Sequence, residues 1–224
     1  MPALLEPPPA ETLTEGQVIS RADFLRICEA SEGRYEKAER LFGRVVLNAG
    51  AVRRSAHGQP HAWLVGLLGC YSSETGGTEY GTSSTLQIED DHDPQPDAYL
   101  LIKPDHGGRV EFTPDDYIVG TPELIVEIAG SSLPKDLGPK KDVYELDGCE
   151  EYLVWATDED RFFCFRREAG GFVADDPEGG VFASRVFPGL RLDVDALLAR
   201  DLPGAMRTLQ ESLATRGAFA FAKR

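Results

Sequence analysis

The feature that most constrains this chain is a short apolar segment with a carboxylate inside it, LIVEIA at residues 124–129. A run of this length and composition is typical of a strand. The ionised side chain of Glu127 is costly to bury unless it is paired or binds a metal. The segment therefore predicts either an edge strand with Glu127 facing solvent, or a core strand that directs a carboxylate at a partner.

A second carboxylate opens another predicted strand. Asp97 follows Pro96 directly, and an apolar stretch, AYLLI, comes next. A Pro-Asp pair alone is common in turns, but carboxylates on two neighbouring strands can hold one divalent metal. Mg²⁺ usually takes one or two protein carboxylates and keeps several waters, and a bound metal polarises a phosphate and activates water. Asp97 and Glu127 are therefore candidate ligands for Mg²⁺ or Mn²⁺.

Two lysines follow on a predicted helix that runs from Pro139 to Leu146. Lys140 precedes Tyr144 by four residues, so these two side chains share one helix face. A lysine directed at the two carboxylates could orient the attacking water or stabilise charge on a phosphate. The alternative is that Lys140 and Lys141 are both ordinary solvated lysines, and the helix alone does not decide between them.

The rest of the chain alternates helical and extended patterns, which predicts an α/β or α+β fold. We expect a mixed central sheet flanked by helices, with extra β elements at both ends. The predicted helices begin after Ser20, near Pro60, at Asp193 or Asp195, and near Pro203. The predicted strands and hairpins cover residues 40–48, 82–88, 97–103, 103–121, 151–157 and 161–168, with a closing antiparallel pair at 171–176 and 181–186.

Length and composition predict one domain. The 224 residues contain no clear linker, so we expect a single domain over residues 18–224 after a flexible Pro- and Glu-containing tail at 1–17. No apolar run approaches the roughly 20 residues of a membrane span, and the N-terminus does not resemble a secretory signal. The four cysteines lack a zinc-binding spacing. We read them as reduced, which favours a cytoplasmic location.

The net charge constrains the relation to nucleic acid. The chain carries 23 basic and 38 acidic residues, a formal charge of −15. Proteins that coat nucleic acid gain affinity by neutralising phosphates with Lys and Arg, so this balance argues against such a role. An acidic enzyme can still cut DNA if a divalent metal and a local basic rim screen the backbone.

Several segments, taken in order, resemble one known family. They are PQPDAYLLI, TPELIVEIAGSS, KKDVY, GCEEYLVWATDED and VFPGLRLDVDALL. This series is similar to the Uma-two family of restriction endonucleases, a branch of the PD-(D/E)XK nuclease superfamily. The resemblance extends from about Ala22 to Leu198. It implies a restriction-endonuclease-like fold, a metal-dependent nuclease activity and a homodimer.

The resemblance also implies roles for particular residues. Asp97 and Glu127 would be the metal ligands. In most of the superfamily the lysine lies two residues beyond the glutamate, and here that position is Ala129. In the Uma-two family the lysine comes from the following helix, where Lys140 matches better than Lys141. The implied catalytic set is Asp97, Glu127 and Lys140.

Three further residues are possible auxiliaries. Glu39 matches a family glutamate near the first hairpin; it approaches the metal or lies at the surface. His61 opens the helix HAWLVGLLG, where it lines the cleft or makes only a structural hydrogen bond. Gln95 could hydrogen-bond near the site. The other histidines, at positions 57, 92 and 106, lie in polar segments and receive no role.

The leading hypothesis is a Mg²⁺-dependent DNA endonuclease. The first alternative is a catalytically inactive nuclease-fold protein that acts as an interaction module, which the acidic charge favours. A third, weaker possibility is a metal-dependent hydrolase of small phosphoesters. The presence of Asp97, Glu127 and a suitably placed lysine favours the nuclease.

Overall fold

The computed structural model describes residues 12–48 and 50–223, which form helices packed on a central sheet. The helices are α1 (Arg21–Ala30), α2 (Gln59–Ser73), α3 (Leu133–Asp136), α4 (Pro139–Leu146), α5 (Val194–Leu198) and α6 (Leu202–Arg216). The strands are β1 (Ala38–Leu41), β2 (Arg44–Leu47), β3 (Thr75–Gly76), β4 (Thr78–Gly81), β5 (Leu86–Gln87), β6 (Ala98–Ile102), β7 (Glu111–Phe112), β8 (Ile118–Val119), β9 (Leu124–Ala129), β10 (Glu151–Ala156), β11 (Arg161–Glu168), β12 (Gly171–Asp175), β13 (Val181–Ala183), β14 (Arg191–Asp193) and β15 (Phe219–Ala220).

The central sheet has six strands in the order β12-β11-β10-β9-β6-β4. Strands β9 and β10 are parallel, and the other neighbours are antiparallel. Strand β9 is therefore internal, and all six of its residues are buried. This excludes the edge-strand alternative for Glu127 and confirms the predicted mixed sheet.

The two faces of the sheet carry separate cores. Helices α2 and α6 cover one face, where residues such as Leu68 and Leu209 meet Val126 and Ile128 of β9. Helix α4 covers the other face, where Val143 and Tyr144 join a cluster that includes Ile125. Because side chains alternate along a strand, Glu127 points to the same face as Ile125, under α4.

A third layer is built from α1 and the β1–β2 hairpin. Ser20 caps α1 by accepting a hydrogen bond from the Asp23 amide, as the sequence predicted, and Phe24 and Ile27 are buried. Part of the predicted tail joins this layer. Leu13 is buried and its amide donates to the Tyr35 hydroxyl, while residues 12 and 14–16 are exposed. The remainder of that tail, residues 1–11, lies outside the described residues.

A buried ion-pair network fixes this layer to the loop that leads into β6. Asp93 is fully buried and accepts hydrogen bonds from Arg21 Nε and Arg40 Nε, each at 2.6 Å. Arg40 also donates to the carbonyl of Asp90. Since Arg40 neighbours Glu39 on β1, this network also positions Glu39.

Two predicted strand assignments are wrong. The predicted strand at 82–88 is only the two-residue β5, whereas the sheet edge is β4, in a glycine-rich segment with weak strand propensity. Pairing with β6 overrides that propensity: Gly81 lies opposite Tyr99, and a Cβ at Gly81 would meet the Tyr99 hydroxyl.

The predicted closing pair is the second error. Strand β12 pairs with β11 through a tight hairpin, and β13 pairs with β14 instead. Helices α1, α2, α4, α5 and α6 and the β1–β2 hairpin lie close to their predicted positions, whereas helix α3 and strands β3, β14 and β15 were not predicted. None of the described helices has the length and apolar character to cross a membrane.

Candidate active site

Asp97 and Glu127 are brought together by the pairing of β6 with β9. The antiparallel register pairs Ala98 with Val126, so Asp97 and Glu127 are the next opposed positions and point to the same face. The Asp97 amide donates to Glu127 Oε2 at 3.3 Å. Both carboxylates line one cleft. The sheet thus places the two predicted ligands side by side.

Glu127 is a buried carboxylate with two further partners. The Tyr144 hydroxyl donates to Glu127 Oε1 at 3.1 Å, and Lys140 Nζ lies 2.6 Å from the same oxygen. Burial raises the pKa of Glu127 well above its usual value, and the negative charges of Asp136, Asp97 and Glu39 add to the effect, while Lys140 partly offsets it. Ionising all the carboxyl groups of the cluster at once is therefore unfavourable.

Asp97 is held at both oxygens. The Ile128 amide donates to Asp97 Oδ2 at 2.7 Å, and His57 Nε2 lies 3.2 Å from Asp97 Oδ1. Burial by itself raises the pKa of Asp97, but the contacts with His57 and the charge of Lys140 outweigh it, so the net shift is downward. Asp97 is thus an ionised carboxylate in a fixed orientation.

The two neighbouring lysines of α4 point in different directions. Lys140 is buried against Glu127, contacts Glu39 Oε1 at 2.9 Å and donates to the Gln95 carbonyl at 3.1 Å. The charges of Glu127 and Glu39 raise the pKa of Lys140 well above its usual value despite the opposing effect of burial. Lys141 instead pairs with Glu145 at 3.1 Å. The helix geometry therefore directs Lys140, and not Lys141, into the cluster.

Glu39 is the fourth member of this cluster and has four partners. Its Oε1 accepts from the Gln95 amide at 2.9 Å and contacts Lys140, while its Oε2 accepts from Asn48 at 2.7 Å and Lys135 at 2.8 Å. Burial by itself raises the pKa of Glu39, but the charges of Lys140 and Lys135 outweigh it and lower the pKa to about 2.

The other two auxiliary candidates, His61 and Gln95, both make hydrogen bonds near the cluster. His61 Nε2 is 2.7 Å from the backbone oxygen of Asp97, so this histidine makes the structural hydrogen bond that was one of its two readings. Gln95 touches the cluster through its backbone, while its side chain donates to Thr85. The side chain that meets Asp97 belongs to His57, on the turn before α2.

The cleft that contains these groups has a volume of about 370 Å³. Its wall is formed by the segments that precede α2, follow β9 and enter β6. Its charged lining comprises Lys37, Arg53, Lys135 and Lys140, together with Glu39, Asp97, Glu127 and Asp136, and His57 adds an imidazole. Lys37 and Arg53 are exposed, whereas Glu39, Glu127, Asp136 and Lys140 are buried.

Residues 21–195 match the family Uma2, described as "Putative restriction endonuclease". The chain belongs to the Uma2 family. The same stretch contains every site residue described above.

A solved structure from Anabaena variabilis, described as "a putative nuclease belonging to DUF820", is similar to this Uma2 chain. The two are 15% identical, with a TM-score of 0.60, over 85% of this chain and 99% of that one. At that identity the likeness shows a shared fold, which confirms the predicted fold class. The curated proteins yielded no match.

The acceptor capacity of the carboxylates shows where a metal would fit in this Uma2 site. An ionised carboxylate offers about four acceptor positions, and those of Glu39 are filled by its four partners. Among the described residues, Glu127 Oε2 has one donor, and each Asp97 oxygen has one. The carboxylates of Asp97 and Glu127 offer hard oxygen donors with capacity to spare, which would suit Mg²⁺.

This donor set also fits the way Mg²⁺ is usually held. Within the part of the chain that the structure describes, no three His, Cys, Asp or Glu side chains are grouped to hold a metal ion. Two carboxylates with several waters are the usual magnesium arrangement. At the cluster itself, the carboxyl groups of Glu39, Asp97, Glu127 and Asp136 face the ammonium groups of Lys135 and Lys140, so a dication there would also reduce the excess negative charge.

Three residues of the Uma2 site were not found from the sequence. His57 and Lys135 lie in loop or short-helix segments without a periodic pattern, and Asp136 ends α3. The sequence offered one indication for Lys135, which lies only eight positions beyond Glu127. Its segment, α3, packs back against β9. Its partner Glu39 is 96 residues away in sequence, a separation that local patterns do not report.

Proposed function

We propose that this chain is a Mg²⁺- or Mn²⁺-dependent nuclease that hydrolyses phosphodiester bonds of DNA. The observation that supports it most is the shared orientation of Asp97 and Glu127 at the β6–β9 pair, both with acceptor capacity left and with Lys140 Nζ 2.6 Å from Glu127. The family description supports a nuclease, and restriction endonucleases as a class act on DNA.

The chain's own residues prepare the site for this reaction. The Ile128 amide and His57 orient Asp97, while Tyr144 and Lys140 orient Glu127. Lys140 places a permanent positive charge at the cleft floor, where charge would develop on a scissile phosphate. A bound Mg²⁺ would supply an electrophile for the phosphate and an activated water.

The test is cleavage of plasmid and linear DNA by the purified protein with Mg²⁺, Mn²⁺ or EDTA. We expect weak, metal-dependent cutting of low sequence specificity. Asp97→Ala, Glu127→Ala and Lys140→Ala should each lower the rate by at least ~100-fold, the usual effect of removing a group that stabilises transition-state charge. Lys141→Ala is the matched control on the same helix and should retain the wild-type rate.

Other outcomes favour other functions. If wild-type and all variants are equally inactive on DNA and RNA with every metal, the chain is better described as a nuclease-fold interaction module. The net charge of −15 favours that alternative. Activity on bis(p-nitrophenyl) phosphate without any activity on DNA would favour a small-phosphoester hydrolase.

A further inference from the structure

The cleft contains two lysines that share Glu39 but differ in what they can still bind. An ammonium group donates three hydrogen bonds. Lys140 Nζ has three acceptors, Glu127 Oε1, Glu39 Oε1 and the Gln95 carbonyl. Its side chain is only 3% exposed. Lys140 is therefore fully engaged, and it could reach a ligand only by giving up a contact.

Lys135 has a different environment. Its Nζ donates to Glu39 Oε2 at 2.8 Å and to Asn48 Oδ1 at 2.6 Å. Among the described residues these are its two hydrogen-bond acceptors, which leaves one N–H of the three. The side chain is 20% exposed and lines the cleft. Lys135 thus presents a fixed, partly solvated positive charge in the same cleft as Asp97 and Glu127.

Glu39 explains why Lys135 is held in this position. It is buried, with two partners at each oxygen, so it has no acceptor position left for a metal. Its low pKa keeps it ionised. Glu39 therefore holds the ammonium groups of Lys135 and Lys140 at a defined separation. Asn48 Oδ1 accepts a second hydrogen bond from Lys135.

We propose that Lys135 is a substrate-binding residue that contacts a backbone phosphate of DNA, and that Glu39 and Asn48 position it. This proposal rests on the proposed function and gives the two lysines different roles. Lys140 orients Glu127 inside the buried cluster, while the more exposed Lys135 contacts the substrate in the cleft. The compact ammonium of lysine is a point-charge ligand for phosphate.

Salt dependence of DNA binding separates a phosphate contact from a structural role. For duplex DNA the slope of log K against log salt is about −0.9 per phosphate neutralised. We would measure binding of a fluorescein-labelled duplex by anisotropy with Mg²⁺ over a range of KCl. All proteins would carry Asp97→Asn to prevent cleavage, and circular dichroism would verify that each variant is folded.

We expect Lys135→Ala to raise the Kd several-fold and to make the slope shallower by about 0.9. Lys135→Arg should keep the slope because it keeps the charge. Lys141→Ala should also keep it, since Lys141 pairs with Glu145 and does not line the cleft.

Two results would overturn the proposal in distinguishable ways. If the parent binds DNA and Lys135→Ala retains both its Kd and its slope, Lys135 does not contact phosphate, and the nuclease proposal is unaffected. If the Asp97→Asn parent shows no salt-dependent DNA binding and the wild-type protein cuts no DNA, both proposals fail together.

Discussion

At the scale of single residues, two buried glutamates in one cluster have opposite electrostatic characters. Glu39 faces two ammonium groups and has a pKa lowered to about 2. Glu127 shares one lysine and faces three other carboxylates, and its pKa is raised well above its usual value. Neutral substitutions at these two positions should therefore change stability in opposite directions.

We expect Glu127→Gln to stabilise the metal-free protein at neutral pH. A carboxyl group whose pKa is raised on folding binds its proton more tightly in the native state, so the wild type loses stability as the pH rises above the unfolded pKa. The glutamine lacks this penalty and can still accept from Tyr144. Thermal unfolding in EDTA should show a Tm higher by roughly 2–4 °C, as ~1 kcal/mol gives in a chain of this size.

The pH dependence provides the check. The advantage of Glu127→Gln should grow between pH 4 and pH 8, and added Mg²⁺ should stabilise the wild type but not the variant. A variant that is less stable than the wild type at every pH would show that the Lys140–Glu127 contact outweighs the repulsion among the carboxylates.

Glu39→Gln should destabilise the protein at pH 7. This substitution removes the acceptor charge from two lysines, and breaking a buried ion pair typically costs about 3–5 kcal/mol. A carboxyl group with a lowered pKa contributes stability above its unfolded pKa and loses it as the pH falls through its folded pKa.

Urea denaturation at several pH values measures this effect. The difference between wild type and Glu39→Gln should be full at pH 7 and should shrink as the pH falls from about 4.5 towards 2. A pH-independent difference would mean that the substitution acts through packing and not through charge.

At the scale of elements, the site depends on how the α1–β1–β2 layer is fixed to the sheet. Asp93, in the loop before β6, joins Arg21 of α1 and Arg40 of β1. The same strand then carries Glu39 to the cleft, one residue away from Arg40. The ion pair between Arg40 and Asp93 thereby helps to fix the position of Glu39, the adjacent residue of β1.

We expect Asp93→Ala to destabilise the protein by about 3–5 kcal/mol, because it removes the only buried carboxylate that pairs with Arg40 among the described residues. Asp91→Ala is the matched control, since Asp91 is 71% exposed and lies 3.9 Å from the same arginine. The control should change stability by less than ~0.5 kcal/mol. Equal effects in urea denaturation would contradict the role given to the buried pair.

At the scale of the whole molecule, the acidic charge and the proposed DNA substrate have to be reconciled. The chain carries a formal charge of −15, yet the rim of the cleft is lined by Lys37, Arg53, His57 and Lys135. Screening of DNA is therefore local to the cleft, and a bound dication would strengthen it. This arrangement favours binding that depends on metal and weakens at high salt.

We also propose that the chain forms a homodimer, since cutting both strands of a duplex is most direct with two symmetric sites. Multi-angle light scattering at micromolar concentration should then give twice the 24.5 kDa mass of the chain. A single species at 24.5 kDa over the working range would contradict this, and double-strand cleavage would then require sequential nicking.

The sequence by itself determined the elements and the catalytic candidates. Local periodicity is a property of neighbouring residues, so LIVEIA predicted β9, and the Ser20 cap predicted α1. The four-residue spacing from Lys140 to Tyr144 predicted that they share one helix face, and the structure turns that face towards Glu127. The placement of Asp97 beside Glu127 followed from strands expected to be neighbours, and the register of β6 with β9 agrees with it.

Only the tertiary structure decided which distant side chains complete the site. His57 reaches Asp97 because the turn before α2 packs against the ends of β9 and β10, where the Thr157 hydroxyl, just after β10, contacts the carbonyl oxygens of Ala56 and of Ala129 in β9. Lys135 reaches Glu39 across 96 residues. Such contacts arise from the packing of elements, and no local pattern encodes them. The edge strand β4 is also decided by tertiary contacts, because its pairing with β6 outweighs the weak strand propensity of Gly81 and of the two glycines before the strand.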